Sequence, residues 1–173
     1  DNHKAVALIM KAYYMQYIVD LYGDAPYSQA FLLADNTTPA YDDDKVIYAT
    51  LLSEVDSAVQ MFYNADANDE ALGESDVMFN GNLNQWIRFA NTLKLKIYMR
   101  QTLSSRAAIA SAGITQMIAA GTQFLTVDAG MNQFTDTPDR SNPLYEYNIR
   151  KLNVATNLRM STTLASFFDA NLD

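Results

Sequence analysis

The stretch from Asn80 to Arg100, NGNLNQWIRFANTLKLKIYMR, constrains the fold more than any other part of the sequence because, as a helix, it is apolar on two faces. At about 100° per residue, one stripe contains Trp86, Phe89, Ala90, Leu93 and Ile97. The opposite side contains Ile87, Leu95, Tyr98 and Met99. A surface helix of a two-layer domain has a single apolar stripe, so this pattern predicts an inner helix that other helices cover from both sides.

The segment from His3 to Leu21 has a similar pattern and predicts a second inner helix. One stripe contains Val6, Ile9, Met10, Tyr13 and Tyr17, and another contains Leu8, Met15 and Val19. We expect this helix to lie beside the Trp86 helix and to end at Gly23, ahead of Pro26. The predicted structural core therefore includes Tyr13, Tyr17, Trp86, Phe89, Leu93 and Ile97.

Two further segments have the periodicity of surface helices. The first begins at the acidic run Asp42–Asp44, which suits the free amides of a helix start, and continues to about Phe62. Its apolar residues share one face, so we expect a peripheral helix with one side in solvent. The second covers residues 161–171, where Leu164, Phe167 and Phe168 need an apolar partner.

An alanine-rich helix is predicted after the Trp86 helix. Ser104 or Ser105 is expected to cap its start, Gly121 is expected to end it, and Gly113 is a candidate break.

Residues 122–150 lack helical periodicity and are predicted to form an irregular insertion, with a short strand at Phe124–Val127. Taken together, the segments predict a mainly α fold of packed helix hairpins with little or no sheet. Residues 1–173 are expected to form a single helical domain around this core.

Several segments, in order along the chain, resemble the SusD-like (RagB/SusD) family. They are Leu21–Tyr27 (LYGDAPY), Thr38–Tyr41 (TPAY), the helix Leu51–Ala58, the RFANTLKLKIYMR run after Trp86, and Asn142–Tyr145 (NPLY). The resemblance implies an outer-membrane nutrient-binding lipoprotein built on tetratricopeptide-like helix hairpins. It also implies glycan capture and a TonB-dependent outer-membrane transporter as partner. Typical members are much longer, so we expect an interior fragment, with the export signal and lipid anchor elsewhere.

Charge and composition argue against several other classes of protein. The net charge of −8 disfavours nucleic acid, which needs clustered Lys and Arg. The one histidine, His3, and the lack of cysteine leave no Ser-His-Asp or Cys-His arrangement, and no phosphate-binding glycine motif occurs. We therefore predict no enzyme activity, no cofactor and no metal. The longest apolar tract, Ala5–Val19, is interrupted by Lys11 and Gln16, so membrane attachment is expected only through a lipid anchor.

The aromatic residues of the irregular insertion offer the best functional lead. Sugars bind proteins by laying C–H faces on aromatic rings while polar side chains take the hydroxyls. Rings without helical spacing are harder to explain by packing. We therefore predict that the ligand-binding residues are Phe134, Arg140, Asn142, Tyr145 and Tyr147. The main alternative is a helical-repeat scaffold that binds a protein or peptide in a groove, and a glycan-cleaving enzyme ranks third.

Overall fold

The computed structural model describes residues 1–66, 68–153 and 158–171. The chain divides into two compact units, residues 1–130 and 131–173. The described residues form six α-helices and one two-stranded antiparallel sheet, which confirms the predicted mainly α fold. The elements are α1 (Asn2–Tyr22), β1 (Ala25–Pro26), β2 (Tyr41–Asp42), α2 (Asp44–Asn64), α3 (Leu83–Gln101), α4 (Ala107–Ala119), α5 (Pro143–Tyr145) and α6 (Thr162–Asn171).

The core of the first unit lies between α1, α2 and α3, with α4 packed against α3. Asp43 caps α2, where its carboxylate accepts a hydrogen bond of 2.8 Å from the Lys45 amide. The buried residues of α2 are Ile47, Tyr48, Leu51, Leu52, Val55, Ala58, Val59 and Phe62. The opposite side, with Ser53, Ser57 and Gln60, is exposed. The prediction of a peripheral helix with one face in solvent is therefore confirmed.

Helix α3 is covered from two sides, as its sequence predicts. Its first stripe is buried, with Trp86 2% exposed and Ile97 fully enclosed. On the second face Ile87 is buried and Tyr98 is half-buried against α4, while Met99 at the end of the face is exposed. The neighbours of α3 are α1, α2 and α4, so this helix packs against helices on more than one side.

Helix α1 packs members of both predicted apolar stripes against the core, but it also has one exposed flank. Ile9, Met15 and Val19 are buried toward α2 and α3, whereas Tyr14 and Ile18 on the opposite flank are exposed. The assignment of Tyr17 to the core is wrong, since its side chain is 43% exposed, and Tyr13 is only half-buried. A periodic apolar pattern specifies which residues share a face but not which faces the neighbouring helices reach.

The short sheet joins the two ends of the connection between α1 and α2. Ala25 pairs with Asp42 and Pro26 with Tyr41. The Asp42 carboxylate then accepts hydrogen bonds from the backbone amides of Tyr27 (3.0 Å) and Ser28 (2.8 Å) and from the Ser28 hydroxyl (2.8 Å). These bonds lower the pKa of Asp42 because they favour its charged form.

The loop before α3 is organised by the carboxylate of Asp76, which is 8% exposed. Its Oδ2 accepts hydrogen bonds from the Trp86 indole Nε1 and the Gly81 amide, both at 2.8 Å, and its Oδ1 accepts from the amides of Met78 and Phe79, both at 3.1 Å. Burial raises the pKa of Asp76, but these four donors outweigh that effect and hold it below its ordinary value. The buried charge is therefore satisfied.

Helix α4 is continuous through Gly113, so the predicted break is not formed. The Tyr98 ring lies over this glycine, and a Cβ atom there would meet ring carbons at 2.3–2.7 Å. Gly113 is thus a site of close helix–helix approach. Gly121 does end the helix region with a φ of +62°, and the start is set by Arg106, whose amide donates to the Ser104 hydroxyl at 3.1 Å.

Residues 124–127 form no strand, contrary to the prediction. The Leu125 amide instead donates to the Thr92 hydroxyl of α3 at 2.9 Å, and the Asn91 side-chain amide donates to the Gln123 carbonyl at 3.0 Å. Side chains of α3 thereby provide hydrogen-bond partners that a neighbouring strand would provide in a sheet.

We expect Gly113→Ala to destabilise the first unit by about 1–3 kcal/mol, because the added methyl group displaces the Tyr98 ring. This cost opposes the gain of about 1 kcal/mol that alanine brings to an ordinary helix position. Urea unfolding followed by the fluorescence of the single tryptophan measures the change. Ser111→Ala, at an exposed position of the same helix, is the control and should not destabilise. A variant Gly113→Ala as stable as the parent would contradict the close approach.

We expect Asp76→Ala to lower the free energy of unfolding by about 2–4 kcal/mol, since it leaves the Trp86 indole and neighbouring amides without their acceptor. Asp56→Ala, which removes an exposed partner of Lys94, should cost less than about 1 kcal/mol. Equal losses in the two variants, measured by urea unfolding at pH 7, would refute the anchoring role of Asp76.

The contribution of Asp76 to stability depends on pH with a defined sign. Its pKa is lower in the folded chain than in the unfolded chain, so protonation favours unfolding. The contribution is therefore complete above the unfolded pKa, about pH 4, and disappears as the pH falls through the lower folded value. The stability difference between parent and Asp76→Ala should shrink over this range.

Candidate functional site

Three of the five predicted ligand-binding residues lie together in the second unit. Phe134, Asn142 and Tyr145 line a concave pocket of about 340 Å³. Both rings are accessible, with Phe134 40% and Tyr145 42% exposed. The rest of the lining is polar and consists of Thr135, Asp136 and Ser141. The pocket thus combines two open aromatic rings with hydroxyl, carboxylate and amide groups.

The chain builds this pocket with a tight loop followed by a helical segment. The Thr135 amide donates to the Arg140 carbonyl at 3.0 Å, and the Arg140 amide donates to the Thr137 carbonyl at 3.1 Å. Asn142 then caps α5, where its Oδ1 accepts from the Leu144 amide at 2.9 Å, and Pro143 occupies the first turn. Capping by Asn followed by Pro favours a helix start.

Residues 143–151 are therefore helical rather than irregular, which differs from the prediction for this part of the insertion. Helix α5 continues directly into a π-helical turn, Glu146–Lys151. The Asn-Pro pair was a usable signal in the sequence. Hydrophobic periodicity alone does not identify the helical segment 143–151, because it is too short to show a repeat.

Ion pairs fix the charged groups beside the pocket. Arg150 pairs with Asp136 and lies with its Nε 3.5 Å from an oxygen of Glu146. Glu146 is 8% exposed and also accepts a hydrogen bond from Ser141. The Arg150 guanidinium lies 5.7 Å from the centre of the Tyr145 ring. These contacts place the ring, the Asp136 carboxylate and the Ser141 hydroxyl beside one shallow, open depression.

The other two predicted residues do not line this pocket. Tyr147 is 62% exposed, with the Lys151 ammonium 4.8 Å from its ring centre. Arg140 is exposed and closes the loop through its backbone. Asn142 uses its Oδ1 in the cap, so its Nδ2 is the group available to a ligand.

A second concavity, in the first unit, escaped the sequence analysis. This groove of about 700 Å³ lies between the end of α2, the first turns of α3 and the turn after α4. Its lining includes Tyr63, Asn84, Arg88, Asn91 and Gln123. These residues come from three segments separated along the chain, and no local pattern links them. The polar residues Asn84, Arg88 and Asn91 at one helical spacing were the only available signal.

A third, smaller cavity of about 280 Å³ is lined in part by the ion pair between Lys11 and Glu54. Glu54 accepts hydrogen bonds from the Lys11 ammonium and the Tyr27 hydroxyl, both at 2.6 Å. Burial, followed by the hydrogen bond to Glu54, raises the pKa of Tyr27, so its hydroxyl remains a donor. This arrangement joins α1 to α2 and the connecting loop.

The acidic residues at the start of α2 are explained by capping. Carboxylate oxygens of Asp24, Asp43 and Asp44 lie within 4.8 Å of one another. Asp24 accepts from the Asp44 amide at 3.0 Å, while Asp43 accepts from the Lys45 amide. Both carboxylates therefore satisfy free amides of the helix start.

Comparison with known proteins identifies the family. Residues 1–171 match the SusD-like family model described as "Starch-binding associating with outer membrane". The chain belongs to the SusD-like family. The sequence resemblance to this family is therefore confirmed. No curated protein matches the chain.

Solved structures of SusD-like proteins have the same fold. A SusD/RagB family protein from Bacteroides thetaiotaomicron is 26% identical, with a TM-score of 0.77 over 100% of this chain and 34% of that one. A SusD homologue from Bacteroides uniformis is 26% identical, with a TM-score of 0.70 over 84% and 30%. A chitin-binding SusD homologue from Flavobacterium johnsoniae is 28% identical, with a TM-score of 0.64 over 73% and 26%. The chain thus spans about a third or less of each.

Outer-membrane association is part of the family description. Among the helices that the structure describes, none combines the length and apolar character required to cross a bilayer.

Proposed function

We propose that the protein captures a glycan or a similar nutrient oligomer and leaves it chemically unaltered. Membership of a family described as starch-binding supports this proposal, as does the likeness to a chitin-binding homologue. The observation on this chain that carries the proposal is the pocket in which the open rings of Phe134 and Tyr145 lie beside fixed polar groups.

The chemistry of this pocket suits a sugar. An aromatic ring provides a flat apolar surface for the C–H face of a pyranose, and nearby polar groups bind its hydroxyls. Asp136 and Ser141 provide acceptors, and the Nδ2 of Asn142 provides a donor. Because Arg150 holds Asp136 in an ion pair, this carboxylate serves as a positioned acceptor for a hydroxyl.

The same proposal assigns the protein a place and a partner. As a SusD-like lipoprotein it would be held at the outer membrane, facing the cell surface or the periplasm, by a lipid attached outside these residues. It would pass its ligand to a TonB-dependent outer-membrane transporter. Affinity purification from detergent-solubilised outer membranes tests this step. Recovery of such a transporter is expected, and its absence from cross-linked preparations would argue against the partnership.

A protein or peptide scaffold is the second candidate function. The exposed flank of α1, which includes Tyr14, Ile18 and Leu21, is an apolar surface on a helix and favours this alternative. Glycan retention by the purified protein separates the two candidates. A scaffold would not be retained by polysaccharide, whereas a glycan-binding protein would be.

We expect Tyr145→Ala to weaken binding to a retained polysaccharide at least about 5-fold, because truncation of a central aromatic side chain costs at least about 1 kcal/mol. Tyr147→Ala should have a smaller effect, since its ring lies outside the lined pocket. Affinity gel electrophoresis with soluble starch and chitin derivatives measures the change in mobility.

Tyr41→Ala is the matched control because Tyr41 is 74% exposed in the first unit. Its mobility should equal that of the parent protein. If Tyr145→Ala and Tyr147→Ala also behave like the parent on a polysaccharide that retains it, the segment that carries Phe134, Tyr145 and Tyr147, here called the aromatic loop, has no role in binding. Release of new reducing ends from the bound polysaccharide would instead indicate an enzyme.

A further inference from the structure

The groove in the first unit, lined by residues of α2, α3 and the turn after α4, is large enough to hold a small ligand. Its volume of about 700 Å³ lies within the range of small-molecule pockets. One wall is the N-terminal half of α3, another is the end of α2 at Tyr63, and the third is the turn 120–123 after α4. All three walls belong to the same compact unit.

A hydrogen bond joins the α3 wall of the groove to the turn after α4. The Asn91 side chain donates to the Gln123 carbonyl at 3.0 Å, and the Gln123 side chain donates to the Gly121 carbonyl at 3.1 Å. The start of α3 is fixed separately, since Asp76 binds the Trp86 indole. The α3 wall and the turn are therefore preorganised, which reduces the entropic cost of binding to them.

Three other side chains of the groove have polar groups without a partner. Among the residues that the structure describes, the Arg88 guanidinium has no hydrogen-bond or ion-pair partner, and Asn84 has none for its side chain. Gln85 has a buried Oε1 that is likewise without a partner in the described chain. Because the Gln85 Oε1 is buried, leaving it unpaired costs free energy that a donor on a ligand would recover, whereas Asn84 is exposed to solvent.

The mixture of donors and acceptors identifies the ligand class. Arg88 can only donate, whereas the amide side chains of Asn84 and Asn91 offer acceptors as well. An anion would use the donor and leave the acceptors unpaired, but hydroxyl and acetamido groups satisfy both. No Asp or Glu from the described part of the chain lines the groove, although the net charge is −8. At its mouth Tyr63, 65% exposed, offers an open ring.

We infer that this groove is a second carbohydrate-binding subsite, which takes a neutral oligosaccharide segment through Tyr63, Asn84 and Arg88. The inference rests on the proposed function, because it assumes that the protein binds glycan. It adds a site distant in sequence from the aromatic loop, formed by the helical unit itself.

The double variant Tyr63→Ala/Arg88→Met tests the subsite. Methionine keeps an apolar stem at position 88 while removing the donors. Titration calorimetry with chitin and starch oligosaccharides should show at least about 10-fold weaker binding than the parent protein. Tyr22→Ala, which truncates another surface tyrosine (77% exposed), is the control and should bind like the parent. Trp86 fluorescence during urea unfolding establishes that both variants fold.

The outcomes separate the subsite from the function on which it rests. If the parent binds and the double variant binds equally well, the subsite is wrong and glycan capture stands. If the parent binds no neutral glycan, the proposed function fails. Should the variant not fold, NMR of the parent protein with the oligosaccharide decides. Shifts of the Asn84, Arg88 and Gln123 amides are expected, and unchanged positions at saturation would overturn the subsite.

Discussion

The buried Asp76 carboxylate is the contact on which the arrangement of the first unit depends. It collects the Trp86 indole and three backbone amides of the loop before α3, so that a charge in an apolar core has four donors. Around it, the Trp86 ring makes edge contacts with Phe79 and Phe89 at centre distances of 5.1 and 5.8 Å. A buried charge without these donors would be strongly unfavourable, and the donors would otherwise be unpaired. The contact therefore fixes both the loop and the first turns of α3.

This anchor links the core to the groove that we propose as a binding surface. The residues on either side of Trp86 alternate between the two environments: Phe89 faces the core, while Asn84 and Arg88 line the groove. Rotation of α3 about its axis would expose the aromatic residues and close the groove. The second unit achieves fixed geometry by another route, because ion pairs of Arg150 position the polar groups beside Tyr145. In both units, hydrogen bonds or ion pairs therefore restrain part of the proposed binding surface.

Periodicity predicted the parts of the fold that depend on one helix at a time. The buried face of α2 and the two-sided burial of α3 follow directly from their sequences, as does the end of α1 at Gly23, where φ is +73°. Features that depend on how elements meet were not predictable in this way. One flank of α1 is exposed because the neighbouring helices do not reach it. Gly113 lies inside the continuous helix α4 because the ring of Tyr98 leaves no room for a side chain there, and not because the helix breaks. For the candidate sites, sequence spacing identified the aromatic loop, but the groove joins side chains from three distant segments.

The most direct measurement of the Asp76 anchor is NMR of the Trp86 indole N–H, which gives a single unambiguous signal because the chain has one tryptophan. We predict slow hydrogen exchange of this proton at neutral pH, with protection close to that of the most stable backbone amides. Its chemical shift should change only when the pH falls below about 4, where Asp76 begins to be protonated. Rapid exchange at pH 7, at the rate of a solvent-exposed indole, would contradict the account.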